Sequence, residues 1–152
     1  MARKGSERLQ TLLKLAAMRE QTAARQLSQS NDRLLQARQQ SQQLQQYERD
    51  YQQRYIDNSG VPVSRDFLLN YQGFFHQLEN AQLQQHRAIE LRESDREQAR
   101  LRWLEQYMKR RLLTSLRERR LASEELVAEK RAQREFDDRA SRKGSRFRTD
   151  GN

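Results

Sequence analysis

The chain contains no cysteine. Disulfides and thiolate chemistry are therefore excluded, and a reducing compartment is compatible with the composition. It has one proline and five glycines in 152 residues. So few breakers allow few turns, and the abundant Gln, Arg, Glu, Leu and Ala favour helix. No apolar run approaches the ~18 residues of a transmembrane helix. The N-terminal stretch MARKGSERLQTLLKLAAMRE is basic but has neither a continuous apolar segment nor a cleavage site. No secretory signal is expected, and a cytoplasmic protein is the simplest reading. His76 and His86 are the only histidines, ten positions apart. They read as exposed helix histidines rather than metal ligands. GVPVSRD lacks the lysine and spacing of a phosphate-binding loop. Two rods offer no concave pocket on which a Ser/His/Asp set could converge. No catalytic residue, metal or cofactor is expected, and the chain is not read as an enzyme.

What is present is charge and helical periodicity. Charged and hydrophobic residues each make up 34%, too little apolar surface for a thick core but enough for a narrow seam. The net charge of +9 is unevenly placed. Residues 1–30 carry +4, residues 31–99 carry −2 and residues 100–152 carry +7. If the chain folds back on itself, the two basic segments meet at one end. That end would attract an acidic protein surface, nucleic acid or anionic lipid, less strongly as salt rises.

Ser6 is the expected N-cap of a first helix over residues 6–56. Its seam runs Leu13, Ala16, Glu20, Ala23, Leu27, Ser30, Leu34, Ala37, Ser41, Leu44, Glu48, Tyr51 and Tyr55, in alternating steps of three and four. Small residues in the seam permit close approach of a partner helix. The break falls at DNSGVPVSRD. Asn58 and Gly60 can take positive φ, Pro62 cannot sit inside a helix, and Ser64 caps the next helix. The turn is therefore residues 57–64, leading into a second helix over 65–140 and a flexible basic tail over 141–152. In the second helix Leu68, Tyr71, Phe75 and Leu78 keep a seam, which Gln82, Gln85, Arg92 and Arg96 interrupt. A shifted seam is expected from Leu101 through Leu104, Met108, Leu112, Ser115, Arg119 and Ala122 to Leu126. At ~1.5 Å per residue the helices span roughly 75 Å and 110 Å. A short connection makes them antiparallel, which predicts a single-domain, all-α, two-helix coiled-coil hairpin. The longer second helix leaves an amphipathic, basic overhang near residues 115–140 without an intramolecular partner.

Seven of the eleven aromatic residues lie between positions 47 and 75. Either they thicken the hairpin end or some form a docking patch. Phe74 and Phe75 differ by ~100° around a helix, so a narrow seam cannot take both. Phe74 is expected to point outward, and Tyr47 and Phe74 are the candidates for an exposed patch. The basic runs at 109–111, 117–120 and 141–148 read first as solvated faces. A basic coiled-coil nucleic-acid binder is an alternative, but interspersed acids and the lack of a parallel zipper argue against it. A plain self-associating coiled coil is another alternative.

YERDYQQRY, the Gly/Pro break, NYQGFFHQLENAQLQQHR and Trp103 together resemble the FliJ family, which supplies the cytoplasmic stalk protein of the bacterial flagellar type III export apparatus. The resemblance is strongest over residues 44–87. It implies an antiparallel two-helix coiled coil similar to the central shaft of F-type ATP synthase. It also implies a non-enzymatic protein, peripherally associated with the inner membrane at the flagellar base. The end carrying the termini would insert into the hexameric export ATPase ring and promote its assembly. The candidates there are Arg3, Lys4, Arg8, Leu12, Arg117, Arg119, Arg120, Leu126, Lys130, Arg131 and Arg134. The family's contact band for the cytoplasmic domain of the export gate protein FlhA maps to Gln40, Leu44, Tyr47, Tyr51, Phe74, Leu78, Ala81 and Gln85. Where the family shows a histidine in that band, this chain has Gln85. Export chaperones are further implied partners. The equivalent stalk of a virulence injectisome shares this architecture.

Overall fold

The structure is a computed structural model. It describes the backbone of residues 2–57, 60 and 64–149 and the side chains of 5–57, 60 and 64–146. Two helices account for nearly all of it: α1, Ala2–Asp57, and α2, Arg65–Thr149. They pack against each other as a hairpin. Ser64 starts α2, its Oγ accepting the Phe67 N–H at 3.2 Å and its carbonyl accepting the Leu68 N–H at 3.3 Å. Asp66 lies in that first turn, where its charge complements the helix dipole. The expected roles of Asn58 and Pro62 fall outside the described residues.

Both helices are longer than the sequence suggested. α1 begins at Ala2, so Ser6 is not an N-cap; it lies inside the helix and is 8% exposed. The residues before it are tolerated in helix, and Gly5 provides room for a crossing side chain. A Cβ there would come within 2.6 Å of the Arg120 guanidinium. α2 runs on to Thr149 instead of ending near residue 140, because Gly144 is the only poor helix former in the stretch.

The chain groups into two compact units, each built from a piece of both helices. Residues 21–105 form one. Here Ala23, Leu34, Ala37, Leu78 and Ala99 are the buried apolar residues. Three of the five are alanines, which is how two helices can come close with so little apolar mass. Antiparallel pairing is fixed by polar contacts. Gln82 Nε2 donates to Glu48 Oε2 at 2.6 Å, and Gln85 Nε2 donates to the Ala37 carbonyl at 2.7 Å. An exposed ion pair joins Arg38 to Glu93 at 3.3 Å.

Residues 1–20 and 106–152 form the other unit. Its seam holds buried Ala16 and an ion pair, Arg110 Nη1 to Glu20 Oε2 at 2.8 Å, with the Glu20 side chain only 13% exposed. Among the described residues from Leu121 onward, only Glu124 is not exposed. The unpartnered part of α2 thus starts near residue 121, not 115, because α1 begins earlier than expected.

All thirteen positions of the expected first seam are buried or half-buried. The shifted seam of α2 is not. Leu101, Leu104, Met108, Leu112, Arg119, Ala122 and Leu126 are exposed. The original register continues instead through Ala99 and Trp103 in one unit and through Gln106, Arg110, Leu113 and Arg117 in the other, all buried or half-buried. Arg110 is seated in the seam by its ion pair with Glu20, so a polar letter there does not mark a register change.

Candidate functional site

Two places hold the sequence candidates. The first is an aromatic band in residues 21–105. Gln40, Leu44, Tyr47 and Tyr51 fall at intervals of four, three and four, and so do Phe74, Leu78, Ala81 and Gln85. Each set is a stripe along one side of its helix. The stripes run antiparallel beside each other. Gln85 Nε2 donates to Gln40 Oε1 at 3.3 Å at one end, and Tyr51 meets Phe74 at 4.1 Å between ring centroids at the other. The eight residues therefore lie along one band about 16 Å long.

Within it the residues differ in access. Leu78 is buried, and Leu44, Tyr51, Phe74, Ala81 and Gln85 are half-buried. Gln40 is exposed, and Tyr47 is 60% exposed. Phe74 does not point outward as expected. Phe74 and Phe75 straddle the ring of Tyr51, at 4.1 and 6.5 Å. One large side chain on α1 can fill the gap between two positions ~100° apart on α2. Tyr47 packs beside Phe74, with 6.1 Å between ring centroids and the rings tilted by 38°.

Nearer the turn the rings continue. Tyr71 stacks on Tyr51 at 5.1 Å and on Tyr55 at 4.4 Å, with Phe67 at 6.4 Å. Desolvation, then the neighbouring phenols of Tyr55 and Tyr51, push the Tyr71 hydroxyl above its ordinary value of 10.0. The folded state therefore favours the neutral phenol. Its contribution to stability is fully present below the unfolded pKa and is lost as pH rises through the folded one. In an ultraviolet pH titration, a late tyrosinate phase is expected, and Tyr71→Phe should remove it. A late phase that Tyr71→Phe leaves in place would contradict the raised Tyr71 ionisation.

The second place is the unit of residues 1–20 and 106–152. Arg8 and Leu12 are exposed on α1. Arg119, Arg120, Leu126, Lys130, Arg131 and Arg134 are exposed on α2. The side chains of Arg3 and Lys4 lie outside the described residues. Arg117 is half-buried, and its Nε has no hydrogen-bond partner; neither has the buried Glu124 Oε1. Such atoms are costly in a closed seam. Charge along α2 comes in blocks rather than uniformly. Residues 106–120 carry +5, residues 121–138 carry −3 and residues 139–146 carry +4. The unpartnered stretch is thus not basic throughout, contrary to the expectation. Sequence reasoning also missed the Glu20–Arg110 pair. Its signal was present: two opposite charges at seam positions that become neighbours once the helices are antiparallel.

Among the described residues, no group of three or more His, Cys, Asp or Glu could hold a metal ion. No described helix is long and apolar enough to cross a membrane. Residues 5–148 match the family model described as flagellar FliJ protein. The chain belongs to the FliJ family. It is a non-enzymatic component of the flagellar export apparatus. No curated protein and no solved structure matches this FliJ-family chain. The match spans both units, so each candidate place lies within the family region.

Proposed function

We propose that this FliJ-family protein is a two-ended coupler of flagellar export. Its terminal unit engages the hexameric export ATPase and promotes ring assembly. Its aromatic band engages the cytoplasmic domain of the export gate protein FlhA, and the protein escorts export chaperones at the inner face of the membrane. The observation that carries this reading is the unpartnered length of α2. Leu126 and Val127 are 57% and 54% exposed on a helix with no second helix beside it. An isolated helix of that kind is marginal in water and gains stability when another protein covers it.

The test is to titrate the cognate export ATPase with the purified chain, following hydrolysis and, by electron microscopy, ring formation. Stimulation saturating near one chain per ring is expected. No stimulation at any ratio in low salt would remove the stalk reading. For the gate, Tyr47 is a better probe than Phe74, because Phe74 also packs against Tyr51. Tyr47→Ala should weaken binding to the gate domain about tenfold, as loss of an aromatic interface anchor does. Helicity and ATPase stimulation should stay unchanged. Unchanged gate affinity would exclude Tyr47 from the interface.

A further inference from the structure

The end of α2 carries a feature that neither the ring nor the gate requires. Phe136, Arg139, Ala140, Arg142, Lys143 and Arg146 line one shallow groove. Phe136 is 69% exposed, and the other five are exposed as well. Residues 139–146 hold four cations and no carboxylate, separated from the basic block at 106–120 by a stretch of net −3.

The charges are sorted around the helix. At ~100° per residue, Phe136, Ala140 and Lys143 share an arc of about 60°, and Arg139 and Arg146 lie beside Lys143. Asp137 falls about 100° from Phe136 on the side away from the cations, and Asp138 about 160° from it in the opposite sense, about 40° beyond Arg142. Glu135 is the one acid within the cationic arc, at its N-terminal edge. A single aromatic ring flanked by long cationic side chains is the arrangement that lies in an interface: the ring enters the acyl boundary and the cations stay at the headgroups.

We propose that the 136–146 segment of α2 is a docking surface for an anionic lipid bilayer. Charge complementarity selects a negatively charged partner. One-sided sorting selects a flat one. A helix entering a nucleic-acid groove faces phosphates on both flanks, where Asp137 and Asp138 would repel them. A membrane is met from one side only, and leaves those two carboxylates in water. The contact would be weak alone, since one ring and four cations give reversible binding. It would hold this end of α2 at the bilayer surface independently of any protein partner.

The test is co-sedimentation of the full chain with vesicles of phosphatidylglycerol and phosphatidylcholine, compared with phosphatidylcholine alone. Binding only to the anionic vesicles, falling steeply with salt, is expected. A chain of net +9 has some affinity for any anionic surface, so the control carries equal charge. Arg139→Glu with Lys143→Glu should lower vesicle affinity by at least about tenfold. Lys109→Glu with Arg111→Glu, the same charge change elsewhere on α2, should have a much smaller effect. Phe136→Trp, in a Trp103→Phe background, should show blue-shifted fluorescence on binding. Circular dichroism checks that each variant stays helical. Equal losses from the two charge pairs, or an unshifted tryptophan, would overturn the proposal. Tighter binding of duplex DNA than of vesicles through Arg139 and Lys143 would replace it with nucleic acid.

Discussion

Replacing Leu34 with alanine is expected to destabilise the unit of residues 21–105 by about 2–3 kcal/mol. Leu34 is 2% exposed, and among the described residues only Leu78 of the other buried apolar side chains is larger than alanine. Its neighbours along the α1 seam, Ser30 and Ala37, are small and cannot extend into a void. A two-helix layer can close partly over a cavity, so the cost falls in the lower half of the usual range for such truncations. With so thin a core, that loss is a large share of the total stability. The neighbouring Leu35 is 55% exposed. Leu35→Ala should change stability by less than about 0.5 kcal/mol. Thermal and urea melts followed by circular dichroism would compare the two. Equal effects would mean that the seam register is wrong.

The second large effect concerns the unpartnered end. A chain ending at Ala122 is expected to keep the melting transition of residues 21–105 and to lose ATPase stimulation. It retains Arg117, Arg119 and Arg120 but lacks Leu126, Lys130, Arg131 and Arg134. The deleted stretch is exposed throughout its described residues, except at Glu124. Its removal therefore takes away little internal packing. If it is the surface the ring covers, apparent affinity for the ATPase should drop by at least about tenfold, or about 1.4 kcal/mol. A chain ending at Asp138 separates this role from lipid binding. It should stimulate normally and bind anionic vesicles at least about tenfold more weakly. Full stimulation by the chain ending at Ala122 would shift the ring contact to α1 and the basic block at 106–120.

Much of this was legible in residue order. Alternating steps of three and four located the α1 seam from Leu13 to Tyr55, though not its continuation through Leu9 and Ser6. Ser64, with Asp66 two residues later, located the start of α2. On α2 the same rule misled beyond residue 100. Leucines at 101, 104 and 112 satisfied the spacing better than Trp103, Gln106 and Arg110 did. The partner decides which stripe is buried, and the partner's polar groups are what seat the polar stripe: Glu20 meets Arg110 at 2.8 Å. The aromatic band was legible as composition but not as geometry. Spacing assigned Phe74 and Phe75 to different faces, and only the size of the Tyr51 ring lets both touch it.

The aromatic layer also bears on the order in which contacts can form. Tyr55 and Tyr71 are 16 residues apart in sequence and stack at 4.4 Å. Gly5 and Arg120, whose side chain crosses it, are separated by 115. The entropy of closing a loop grows with its length, so the rings beside the turn meet at the smallest cost. They are also among the largest apolar groups in the chain, so the earliest contacts to close are also the most adhesive. A folding nucleus at Tyr51, Tyr55, Tyr71 and Phe75 would then set the register, and pairing would spread from the turn toward the termini.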